Sequence, residues 1–151
     1  MEFQAEPFSR WCREAVERGL FEAHWREVGR YRDRIALEPD FEKFALLERA
    51  QVLACYTARK EGILTAYAMF ICSPALHAKS HVFAFCDAIY VAREQRGPGV
   101  GKRLIELAER ELIARGVAKI VYHFKTAQDQ GALLRSLGYE AAETLYEKLV
   151  I

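Results

Sequence analysis

The stretch from Tyr90 to Ile105, YVAREQRGPGVGKRLI, runs from an apolar strand through a glycine-rich turn straight into a helix. That succession confines the chain to folds in which the end of a strand meets the beginning of a helix. Gly97, Gly99 and Gly101 let the backbone approach a ligand closely, and the helix start adds free N–H groups and the positive end of the helix dipole. Arg96 and Lys102 contribute cationic side chains. A phosphate is the kind of ligand such a turn holds. A turn that only packs a helix on a strand is the competing reading for so short a motif.

Spacing decides between the known glycine-rich turns. A P-loop places four residues between its first glycine and a Gly-Lys-Ser/Thr. Here three residues separate Gly97 from Gly101, and Lys102 is followed by Arg103. A dinucleotide fingerprint G-x-G-x-x-G begun at Gly97 or Gly99 would need its third glycine at Lys102 or Leu104. What fits is R-x-x-G-x-G, read as Arg96, Gly99 and Gly101, with Gly97 and Pro98 between and Val100 inside. This resembles the acyl-CoA pyrophosphate loop of the GNAT superfamily of N-acetyltransferases.

The 151 residues, 52% of them hydrophobic, suit a single domain spanning 1–151 with one core. A formal net charge of +1 gives no global attraction to nucleic acid or to a membrane. No run approaches the roughly 18 apolar residues of a membrane span, and no signal peptide is visible, so the expectation is cytoplasmic. Cysteines 12, 55, 72 and 86 lack metal or redox spacing, and no metal is expected.

Apolar residues at three- and four-residue steps predict a helix over 7–19 and a second, short one ended by Gly29; Pro39-Asp40 starts a third. Alternation over 51–58 and 63–72 predicts an antiparallel hairpin, followed by a loop containing His77. Residues 82–91 then read as a third strand, with Asp87 its only charge. A helix ending at Gly116, a strand over 117–124, a helix over 127–137 and one or two strands over 139–151 complete the chain. A strand, helix, strand unit implies a parallel pair, so the sheet is mixed. The same order of elements characterises the GNAT superfamily, and the stretch LLRSLGY (133–139) is similar to that family's Leu-Gly-Phe/Tyr helix end. The resemblance implies an α/β (α+β) fold of three layers, a mixed central sheet with helices on both faces. The segments HWREV, EPDFEKF, SPALHAKSH and LYEKL further resemble a subgroup met in bacteriophages and prophages.

The resemblance also implies a chemistry: transfer of an acetyl group from acetyl-CoA to an amine by direct attack in a ternary complex, without a metal. Ile89, Tyr90 and Val91 would pair with pantetheine and residues 96–102 would hold the pyrophosphate; Lys125 is a candidate to meet a phosphate, a solvated lysine being its alternative. For the general base the expectation is Asp87, which on a regular strand shares a face with Ile89 and Val91. A buried carboxylate serving structure alone is its alternative. His77 and Tyr139 are candidates for handling protons, and His24, Trp25, Glu27 and His77 for meeting an acceptor of unspecified identity. Family members often carry a proton-donating tyrosine four residues before the Gly-Phe/Tyr pair, where this chain has Leu134. That departure keeps open a second reading, a CoA-binding module with weak or absent transfer. A homodimer through the last strands is compatible with the pattern, which does not specify it.

Overall fold

The computed structural model describes residues 1–97 and 99–151. Strand β1 (Glu2–Ala5) leads through Pro7 into α1 (Phe8–Glu17), and Gly19, at φ 64°, turns the chain into α2 (Leu20–Val28). The Asp40 side chain accepts the Lys43 N–H at 2.9 Å and so caps α3 (Phe41–Arg49). Strands β2 (Leu53–Lys60) and β3 (Ile63–Ala75) are joined by Glu61 and Gly62, with φ of 53° and 78°. Positive φ at both central residues matches the right-handed twist of a hairpin. Then follow β4 (Ala78–Val91), α4 (Val100–Ala114), β5 (Val117–Val121) and α5 (Gly131–Ser136).

The strands form one sheet in the order β1-β2-β3-β4-β5, antiparallel except for the parallel pair β4 and β5. One face packs against α4 through Leu104, Leu107, Ala108 and Leu112, which meet Tyr56, Phe70 and Ala84. The other face packs against α1 and α2, whose Phe8, Trp11, Leu20 and Phe21 meet Leu53, Tyr67 and Tyr90. This is the three-layer α/β arrangement expected from the sequence. It explains why β2 is buried along six consecutive residues although it pairs antiparallel: both of its faces are covered.

Three expectations need correction. The loop expected after 72 is instead strand: β3 runs on to Ala75 and β4 starts at Ala78, so only Leu76 and His77 form the tip. Pro74 is tolerated because the register shifts beside it. Residues 127–137 divide into a 3₁₀ turn (Thr126–Gln128) and the six-residue α5. Residues 139–151 form no strand; Leu145, Tyr146, Val150 and Ile151 are exposed, and the segment is held by the ion pairs of Glu147 with Arg30 and Lys125.

An ionic cluster ties β1 and α1 to the sheet. Arg59 on β2 donates to Glu6 at 2.9 Å and to Glu14 at 2.7 Å, Thr57 donates to Glu6, and Glu14 accepts the Leu64 N–H at 2.7 Å. Burial alone would raise the Glu6 carboxyl, but hydrogen bonds from Arg59, Thr57 and Gln4 outweigh it and hold it below its ordinary value of 4.5. Arg59→Met strands a buried carboxylate and is expected to cost about 3 kcal/mol in chemical denaturation at pH 7. A lowered folded pKa gives stability that is present above the ordinary value and lost as pH falls through the folded one. The deficit of the variant therefore narrows in acid, and equal stabilities at pH 7 would show that the cluster carries nothing.

Candidate active site

Strands β4 and β5 pair only from Val82↔Val117 to Phe85↔Val121. Beyond that point they part. From Cys86 to Val91, β4 keeps only its β3 partner, and the edge that β5 vacates opens on a cleft of about 800 Å³. Its walls are the end of β4, the turn and first residues of α4, the segment 123–125, and α2 with His24, Glu27 and Val28. The volume is that of a pocket for a sizeable small molecule.

Asp87 stands at the mouth of this wedge for a local reason. Met69 pairs with Ala88 and Phe70 with Cys86, so Asp87 is an extra residue, a β-bulge. The bulge reverses the alternation of the strand: Ala84 and Cys86 face the α4 side before it, whereas Ile89 and Val91 pack on that side after it. Asp87 sits at this break in the alternation and lines the same cleft as Ile89 and Val91. Desolvation within the cleft raises its carboxyl above the ordinary 3.8, and nearby His123 opposes the rise.

The phosphate side is built from backbone. Gly99, at φ 92°, caps α4, which has no acidic residue in its first turn. A Cβ added at Gly97, Gly99 or Gly101 would meet nothing within 4 Å, so the space above the turn is open. Arg96 closes the turn on β4, its Nε donating to the Val91 carbonyl at 2.9 Å, and its guanidinium lies over the Tyr90 ring. Lys102 leans along α4 toward Glu106, 3.8 Å away, and Lys125 toward Glu147, 3.6 Å away.

The opposite wall belongs to α2. Glu27 accepts from Arg96 at 2.7 Å, and its backbone carbonyl accepts from Gln128 at 2.9 Å, which fastens α2 to both segments flanking the cleft. The His24 ring stacks on Tyr90 with centroids 4.9 Å apart, and its Nδ1 lies 2.8 Å from the Tyr67 hydroxyl. Burial, reinforced by Arg96 and opposed by Glu27, lowers the imidazole to about 4. It is neutral at pH 7.

The model of the Acetyltransferase (GNAT) family matches residues 16–139. The chain belongs to this family. Among solved structures, a ribosomal-protein-alanine N-acetyltransferase from Brucella melitensis biovar Abortus is 20% identical, with a TM-score of 0.69 and complete coverage of both chains. An aminoglycoside acetyltransferase from an uncultured soil metagenomic sample is 14% identical, with a TM-score of 0.76 over 99% of this chain and 95% of that one. A Trypanosoma brucei acetyltransferase is 15% identical, with a TM-score of 0.70 over 99% of each chain. At these identities the likeness is one of fold. No curated protein matches the chain.

The GNAT loop expected at residues 96–102 lies on the cleft, apart from Pro98, which falls outside the described residues. Asp87, Ile89, Tyr90, Val91, Lys125, His24 and Glu27 line the same cleft. The remaining candidates do not. His77 sits at the hairpin tip, ten residues along the chain from Asp87 and so on the order of 30 Å away along β4. Trp25 packs its indole over Gly29, where an added Cβ would lie 2.8 Å from the ring. Tyr139 donates to Glu109 at 2.9 Å and packs edge-to-face on Tyr122, outside the cleft. Sequence reasoning missed His123, Leu133 and Leu145 as wall residues. For His123 a signal existed: its position just past β5, where the parallel strands part. No group of three metal-ligating side chains occurs among the described residues, and no helix among them is long and apolar enough to cross a membrane.

Proposed function

We propose that this GNAT chain is an acetyl-CoA-dependent N-acetyltransferase, one domain over 1–151, acting on a primary amine by direct attack in a ternary complex. The observation that carries the reading is the convergence of an open glycine turn at the start of α4 and a bulged carboxylate, Asp87, on one cleft in the wedge between parallel strands. The donor fits what is present: the turn is free above its three glycines, the helix start offers N–H groups, and the family uses acetyl-CoA.

Each residue then has a task. Backbone groups of Gly99, Val100 and Gly101, with Arg96 and Lys102, hold the pyrophosphate; Lys125 meets a further phosphate. The unpaired edge of β4 at Ile89–Val91 aligns pantetheine, which when bound presents the reactive thioester beside Asp87. Asp87 takes the proton from the incoming ammonium, directly or through water. Its raised carboxyl suits this part, because a base is most useful when its pKa approaches the working pH. Glu27 and His24 hold the acceptor. No tyrosine of α5 faces the cleft, where that helix contributes Leu133; a thiol of pKa about 8.5 leaves as thiolate without a strong acid. Two structural neighbours are a ribosomal-protein-alanine N-acetyltransferase and an aminoglycoside acetyltransferase, and both of these acceptors carry amines. Cytoplasmic placement and the phage or prophage subgroup are supported only by the sequence features that suggested them.

Native mass spectrometry with acetyl-CoA, followed by thiol release over a panel of amines, tests the proposal. A bound donor and amine-dependent CoA release are expected. A donor that binds without release to any amine would favour the CoA-binding module instead, and absence of binding at millimolar CoA would remove both readings.

A further inference from the structure

The Tyr67 hydroxyl is buried, and its single hydrogen-bond partner among the described residues is His24 Nδ1, at 2.8 Å. Trp11 stacks on the Tyr67 ring at 5.1 Å, Phe21 meets it edge-on at 5.5 Å, and no second hydrogen-bond partner for the hydroxyl lies among the described residues. Two arrangements of the pair exist. If Nδ1–H donates to the tyrosine oxygen, the phenolic hydrogen points into an apolar core without an acceptor, which costs about 1–3 kcal/mol. If the phenol donates to Nδ1, both groups are satisfied. The second arrangement wins, and a neutral imidazole that accepts at Nδ1 must carry its hydrogen on Nε2. The phenol stays protonated, because burial raises its pKa, and the imidazole is neutral at pH 7 for the same cause. Nε2 has no partner among the described residues, and His24 lines the cleft.

We propose that His24, set by Tyr67, is a neutral hydrogen-bond donor in the acceptor half of the cleft, and that the acceptor amine carries an oxygen near its nitrogen for this donor to hold. The inference rests on the amine-acetylating function proposed above and narrows it to a substrate class. An N–H donor does not attract an ammonium, so a plain alkylamine or polyamine finds Asp87 but leaves Nε2–H without a partner. An amine with a neighbouring hydroxyl, ether or carbonyl satisfies both. Amino sugars and amino alcohols supply this chemistry from a hydroxyl; peptide amino ends and amino-acid amides supply it from a carbonyl. His24 acts here as a binding and positioning residue, and the proton leaves through Asp87.

The first test reads the tautomer. ¹⁵N NMR of the whole protein labelled at histidine, with His24 assigned by its loss in a His24→Phe/Tyr67→Phe double variant, is expected to show Nε2 protonated and Nδ1 bare at neutral pH. The double variant replaces both partners by rings of similar shape and leaves no buried group unpaired, so it should fold. An Nδ1-protonated or charged His24 would overturn the proposal. The second test compares kcat/KM for ethanolamine, glycinamide and propylamine at saturating acetyl-CoA. An advantage of about tenfold or more is expected for whichever oxygen-bearing amine is the better, falling to about twofold in the double variant; the better of the two distinguishes hydroxyl from carbonyl. Equal use of propylamine by the unaltered protein would overturn the substrate class. Failure to acetylate any amine would overturn the function itself, while the NMR result stands or falls independently.

Discussion

Asp87→Asn is expected to lower turnover by about 10² or more while leaving CoA affinity unchanged. The carboxylate sits at the β4 bulge on the cleft, and asparagine keeps its size without its basicity. Thermal stability should be unchanged or slightly higher in the variant. The sign follows from the raised pKa: the folded state favours the protonated form, so above its folded pKa the ionised Asp87 subtracts from stability, and the amide removes that cost. The kcat/KM of the unaltered protein should fall on the acid side as Asp87 protonates. His24 also becomes charged on the acid side, near 4, so the limb belongs to Asp87 only if it is missing from the low residual activity of the asparagine variant. Turnover within about threefold of the original would remove Asp87 as the base.

How far the sequence disclosed this site depended on whether the informative signal was local. The loop at 96–101 was legible because glycine spacing and a following helix are properties of adjacent residues, and the same holds for the Asp40 cap and the Glu61-Gly62 turn. For Asp87 the charge within an apolar strand was legible, whereas the one-residue bulge at which it sits, set by the pairing of β3 with β4, was not. Register between strands is not a property of either strand alone. The same limit explains His77. A proline and a serine after an apolar run read as a loop, but pairing with β4 extended β3 past them and moved the histidine to the far end of the hairpin. His123 and Leu145 lie on the cleft through the parting of β4 and β5 and the path of the last residues, neither of which is written in a periodic pattern. The residues 139–151 show the converse case: β-forming composition without a paired edge yields no strand.

Gly101→Glu should move stability and binding in opposite directions. Gly101 is the second residue of α4, its φ is not positive, and an added Cβ meets nothing within 4 Å. Replacing a helical glycine gains up to about 1 kcal/mol, and a carboxylate in the first turn of a helix is stabilised by the dipole, so the free protein should become more resistant to denaturant. Those same N–H groups and that same dipole are what the pyrophosphate is proposed to use. With a negative side chain already there, CoA must approach a like charge and lose backbone donors, and its affinity should fall by about 100-fold or more. Gly99 would be a poorer place for this experiment, because its φ of 92° strains any side chain and would confuse lost binding with a distorted turn. Gly101→Gln separates the causes: it matches glutamate in bulk without its charge, so it should weaken CoA binding much less. If the two substitutions weaken CoA equally, the effect is one of bulk; if glutamate leaves affinity intact, the phosphates lie elsewhere in the cleft.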